Sequence, residues 1–140
     1  AAPVHFIQAM VRVHHYVNTC AASFVQDAGV VALEQGEPYV QEMVREYDRR
    51  RQYAVRALNE IDGIRCTTPE GAFYIFVNIK EFGKTSAEMA DYLLDEAKVA
   101  SVPGSAFGAE GEGCIRISYA CAYDRIVDGI QRIKDACAKL

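Results

Sequence analysis

The chain has 140 residues, 51% apolar and 24% charged, and its 15 basic and 19 acidic side chains leave a formal net charge of −4. That composition suits a globular chain long enough to bury a core and is too hydrophobic for disorder. The acidic balance excludes the basic surface that a nucleic-acid binder needs. No apolar run approaches the roughly 20 residues required to cross a bilayer.

The opening residues, Ala1-Ala2-Pro3-Val4-His5, lack the basic start and long apolar stretch of a signal peptide. Five cysteines (Cys20, Cys66, Cys114, Cys121, Cys137) are an odd number with no CxxC pair. That pattern fits neither a disulfide framework nor a zinc site, so a reducing, cytoplasmic setting is expected.

Along the chain, Phe6, Ile7, Met10, Val11, His14 and Val17 recur at helical spacing, and so do Phe24, Val25, Ala28, Val31 and Ala32. Residues 18–23 interrupt the two runs. Gly36 suits the end of the second helix, and Pro38 suits the first turn of a third. The third carries a stripe of Val40, Met43, Val44, Tyr47, Ala54, Val55, Leu58 and Ile61. It runs to Asp62-Gly63, a span of roughly 35 Å at 1.5 Å per residue. Arg49-Arg50-Arg51 on this helix is either an anion-binding patch or, as the net charge favours, a solvated face paired with Glu46 and nearby acids.

The second half changes character. Residues 72–79 are β-rich and apolar on both alternating faces, which predicts a central strand. Thr85-Ser86-Ala87-Glu88 is a capping box, opening a helix whose predicted buried side is Met89, Leu93, Leu94 and Ala97. A short strand at 99–102, the loop Pro103 to Gly108, a strand over 114–119 and a last helix burying Ile126, Ile130, Ile133 and Cys137 complete the plan. The expectation is an α+β fold: long helices, then a small three-stranded sheet covered by helices.

Few residues here can carry chemistry. Arg116 sits mid-strand on the side opposite Ile115 and Ile117, where a guanidinium needs an anionic partner. That partner is either an internal carboxylate or a ligand carboxylate matched by the planar fork. The glycine-bearing loop 103–108 lacks both the GxGxxG and the GK[ST] phosphate patterns. His5, His14 and His15 have no ligand spacing, and no serine has a GxSxG setting. All five lysines (Lys80, Lys84, Lys98, Lys134, Lys139) have polar neighbours rather than the apolar setting of a Schiff-base amine. The residues alone describe a carboxylate receptor without catalytic machinery.

Three motifs carry a resemblance. Pro69-Glu70-Gly71-Ala72-Phe73-Tyr74-Ile75-Phe76 resembles the P-x-G-A-F-Y-x-F strand of class I/II pyridoxal-phosphate aminotransferases, the aspartate aminotransferase family. Val102 to Gly108, Gly111-Glu112-Gly113 and Ile115 to Ala120 are similar to that family's V-P-G-S-x-F-G, G-E-G and I-R-I-S-Y-A. Tyr16 to Cys20, Phe24, Gln26 and Ala32-Leu33 resemble its interface helices.

The resemblance implies a fold-type I homodimer that exchanges amino groups between amino acids and 2-oxo acids, with aspartate as the default donor. It assigns the substrate α-carboxylate to Arg116, and it places Asn18, Thr19 and Phe107 near the substrate. Residues 1–37 correspond to interface helices at the end of the large domain, and 38–140 to the C-terminal small domain. The family's Schiff-base lysine and its other pyridoxal phosphate anchors lie upstream of residue 1, so no catalytic residue is expected within these 140. The family's Thr-Ser cap of the last helix is replaced by Cys121-Ala122, which weakens that cap. A free-standing carboxylate-binding module and a carbon–sulfur lyase or synthase of the same fold are the alternatives.

Overall fold

The computed structural model describes residues 2–140, and the chain divides into two units, Ala1–Glu42 and Met43–Leu140. The first contains α1 (Val4–Val17), α2 (Ser23–Gln35) and the start of α3 (Glu37–Asn59). The expected apolar stripes are present on α1 and α2, yet neither helix buries a residue. Phe6, Met10, Phe24 and Leu33 are all exposed. This unit has helical pattern without a core of its own.

The second unit holds the core. After α3 come β1 (Arg65–Cys66), β2 (Tyr74–Asn78), α4 (Ser86–Tyr92), β3 (Val102–Pro103), β4 (Cys114–Ser118) and α5 (Tyr123–Cys137). The four strands lie in the order β1-β2-β4-β3, all antiparallel. The sheet therefore has one strand more than the sequence suggested. β1 is only two residues long and carries no periodicity. It is fixed by Asn59, whose amide accepts from the Cys66 N–H (2.9 Å) and donates to the Cys66 carbonyl (3.0 Å).

One sheet face is covered and the other is not. Ile75, Val77 and Ile115 point into a cluster with Ala54 and Leu58 of α3, Met89 of α4, and Ile126, Ile130 and Ile133 of α5. β2 is central, as its composition predicts, but Phe76 on its opposite face is 43% exposed, so the strand is buried on one side only. Thr85 closes the expected capping box with Glu88. The helix then widens into a π-helical turn over Leu93–Ala97. Met89, Leu93 and Ala97, four residues apart, face the core, whereas Leu94 is half exposed. Its expected burial is corrected by geometry: the next position round a helix lies about 100° away. All four residues expected inside α5 are buried.

Candidate functional site

Arg116 projects from the open face of the sheet. Antiparallel register pairs it with Phe76 of β2 on one side and Val102 of β3 on the other, and residues opposite one another share a face. Its guanidinium carbon lies 4.1 Å from the Tyr74 ring centre and 4.8 Å from that of Phe107. Phe107 in turn meets Phe76 edge-on, with ring centres 5.5 Å apart. Among the described residues no carboxylate comes within ion-pair distance of Arg116, so the internal ion pair allowed by the sequence is absent. Aromatic rings cover a guanidinium without consuming its N–H donors, which leaves the fork free for an anion.

The loop that brings Phe107 to this face depends on close backbone approach. A Cβ on Gly104 would collide with the carbonyl oxygens of Gly111 and Cys114, so only glycine fits. The Gly111-Glu112-Gly113 segment is tied down from a distance. The Ser86 N–H donates to Glu112 Oε1 (2.7 Å), and the Gly113 N–H donates to Ser86 Oγ (2.9 Å). Hydrogen bonds from the Ser86 backbone hold the Glu112 carboxyl below its ordinary pKa. Glu112 therefore supports the N-terminus of α4 from 26 positions away, a role that sequence reading missed because no local pattern records it.

The turn 69–73 leads into β2 and lines a separate cleft with Tyr47, Arg51 and Tyr119. Ala72 has a left-handed backbone with φ 59°. The Tyr119 phenol donates to the Ala72 carbonyl (2.8 Å), and Arg51 Nη1 donates to the Pro69 carbonyl (2.8 Å). The motif order P-E-G-A-F-Y contains this turn, but its strain and its clamp become visible only in three dimensions.

The remaining candidates fall elsewhere. Asn18 and Thr19 belong to the first unit, in the exposed segment after α1, where the Asn18 N–H donates to the His14 carbonyl (2.8 Å). The arginine run is internally paired: Arg50 with Glu46 at 2.8 Å, Arg49 with Glu46 at 3.6 Å, and Arg51 with Asp48 at 2.6 Å. No cluster of three potential metal ligands occurs among the described residues.

The lysines do not fit an aldehyde cofactor beside Arg116. Lys98 donates to the Asp95 carbonyl, Lys139 pairs with Glu96, and Lys84 lies over the Tyr92 ring. The Lys80 stem packs under Gly113, and Lys134 lines a cleft beside Ile61. The cleft that contains Arg116 is lined by Ala100, Ser101, Val102 and Ser118, with no amine. These residues can grip a carboxylate.

Comparison with known proteins gives the same region a context. The sequence profile of the family "Aminotransferase class I and II" matches residues 1–133. The chain is similar to an aspartate aminotransferase of Pyrococcus abyssi, 48% identical over 136 residues that make up 96% of this chain and 35% of the relative. It is 46% identical, with the same coverage, to aromatic-amino-acid aminotransferase 2 of Thermococcus litoralis. The crystal structure of an aromatic aminotransferase from Pyrococcus horikoshii superposes with a TM-score of 0.90 at 43% identity, over 99% of this chain and 37% of that one. The chain thus spans about a third of the length of the relatives it matches.

Proposed function

The chain belongs to the class I and II aminotransferase family, and from that premise we propose that it is the C-terminal, carboxylate-binding part of an enzyme moving amino groups between an amino acid and a 2-oxo acid. The observation that carries this reading is the Arg116 guanidinium, set on an open sheet face between aromatic neighbours with no carboxylate partner among the described residues. A bidentate pair with the substrate α-carboxylate fixes both the position and the direction of that end of the molecule. Held there, the substrate presents its α-carbon in a constant geometry, the positioning part of catalysis. Phe107 contributes by covering the guanidinium. Asn18 and Thr19, in the first unit, are kept as substrate-binding candidates on the family resemblance alone.

Pyridoxal phosphate supplies the electron sink in this reading. Its anchors are expected upstream of residue 1, as the family resemblance implies. Relatives of nearly equal identity carry the names aspartate and aromatic aminotransferase, and aspartate is kept as the default donor. The unburied apolar stripes of α1 and α2 are proposed to serve contact with the rest of a homodimer, and the free thiols suit a reducing, cytoplasmic location.

The test is Arg116→Lys in the full-length protein. A point charge replaces a two-pronged fork, so the KM for the amino acid is expected to rise about 10- to 100-fold, with cofactor absorbance unchanged. An unchanged KM removes Arg116 from the site. The Arg116 fork, flanked by aromatic rings, equally suits a second reading, a carboxylate-binding module acting alone. A native polypeptide about three times this length supports the enzyme; a native chain of 140 residues supports the module.

A further inference from the structure

The turn that precedes β2 is held by little. Residues 70–73 are exposed, and the Phe73 ring, against Tyr47 and Tyr74, is their aromatic packing contact. Among the described residues Ala72 is one of two non-glycines with positive φ, a conformation an L side chain leaves unless something restrains it. The restraints are few and specific. The Tyr119 phenol donates to the Ala72 carbonyl at 2.8 Å, and the Tyr119 N–H donates to the Phe73 carbonyl at 3.0 Å. Arg51, fixed by Asp48 Oδ1, donates to the Pro69 carbonyl at 2.8 Å.

Both ends of this clamp lead to the same place. Two residues beyond Ala72 is Tyr74, whose ring lies 4.1 Å from the Arg116 guanidinium carbon. Three residues before Tyr119 is Arg116 itself. Tyr119 is only 2% exposed, and burial raises the pKa of its phenol, so it remains a hydrogen-bond donor through neutral pH.

We infer that Tyr119, assisted by Arg51, is a positioning residue for the carboxylate site: it holds Ala72 in the left-handed conformation that delivers Tyr74 against Arg116. The inference rests on the reading of Arg116 as the carboxylate receptor. Without the phenol, Ala72 relaxes to negative φ, the chain enters β2 in a different direction, and the ring leaves the guanidinium. Tyr119 acts through Ala72 and Tyr74 and does not touch the ligand.

The clamp and the strain can be separated, because glycine adopts positive φ at no steric cost. The experiment measures the calorimetric Kd of maleate and of 3-phenylpropionate, two unreactive carboxylates, on the full-length protein well below each variant's Tm. Loss of one buried hydrogen bond predicts that Tyr119→Phe weakens binding about 10-fold, and that Ala72→Gly leaves it unchanged. The double variant Tyr119→Phe/Ala72→Gly is expected to recover to within about threefold of the parent, a rescue that a general loss of stability does not produce. A Kd unmoved by Tyr119→Phe, or a double variant as weak as the single, overturns the inference. If Tyr119→Phe fails to fold, Arg51→Gln decides: weaker binding supports the clamp, and an unchanged Kd overturns it. Arg116→Lys in the same series tests the receptor itself; normal binding there sinks that reading whatever Tyr119 does.

Discussion

Phe76 and Arg116 are register partners across β2 and β4, so both side chains leave the same face of the sheet, opposite Ile75, Val77 and Ile115. The pairing explains how an arginine persists in an apolar strand without an acidic partner. Its neighbours on the open face are aromatic rings, which favour a cation and leave its N–H donors unused. The core and the candidate site are thus two faces of the same five-residue strand.

The cap of α5 is the clearest place where stability can be gained. Ala122 stands at the N-cap and offers no side-chain hydrogen bond. Ala122→Asp should stabilise the chain by about 1 kcal/mol, since a carboxylate accepts from the free N–H groups of the first turn. Thermal unfolding checks it, and an unchanged Tm means that the first turn is already satisfied by solvent.

Two adjacent leucines should behave differently. Leu93 is fully buried and Leu94 is 50% exposed. Leu93→Ala is expected to cost about 2–5 kcal/mol and Leu94→Ala well under about 1 kcal/mol. Denaturant midpoints that fall equally would contradict the π-helical geometry after Tyr92.

Acid should loosen the support of α4. Hydrogen bonds from the Thr85 and Ser86 backbones hold the Glu88 and Glu112 carboxyls below their ordinary value of 4.5. A folded-state pKa below the unfolded one gives stability that is complete above the unfolded value and is lost as pH falls through the folded value. Tm is therefore expected to be flat above about pH 5 and to decline below about pH 4.5. Glu112→Gln should lower Tm at neutral pH and converge with the parent in acid. Parallel curves for the two proteins would assign the acid limb to other carboxylates.

The thiols should separate by accessibility. Burial pushes the Cys137 thiol up to about 11, whereas Cys20 and Cys121 are exposed. At pH 8, iodoacetamide is expected to modify Cys20 and Cys121 rapidly and Cys137 only in denaturant, because the thiolate is the reactive form. Peptide mass mapping after a short pulse distinguishes them. Prompt labelling of Cys137 would show that α5 opens locally.

Much of the fold is legible in the sequence where a signal repeats or acts at short range. The stripe Ile126, Ile130, Ile133 and Cys137 specifies the buried side of α5, and Thr85 with Glu88 specifies the start of α4. Two-residue β1 offers no such repeat, and Leu94 mimics a core position until the helix is given its geometry. For the site, alternation singles out Arg116 because it lies opposite Ile115 and Ile117, and the motifs around it resemble one family strongly enough to name it.

The sequence by itself therefore determined the buried side of α5, the central strand, the family and the placing of Arg116 opposite the core side of its strand. Each follows from local periodicity or from a contiguous motif. Only the tertiary structure decided that no carboxylate among the described residues pairs with Arg116, that Tyr74 and Phe107 flank it, that Glu112 supports α4, and that Tyr119 hydrogen-bonds Ala72. Those relationships join residues 9 to 47 positions apart, and their distances are set by strand register and loop closure, which no short stretch of sequence encodes.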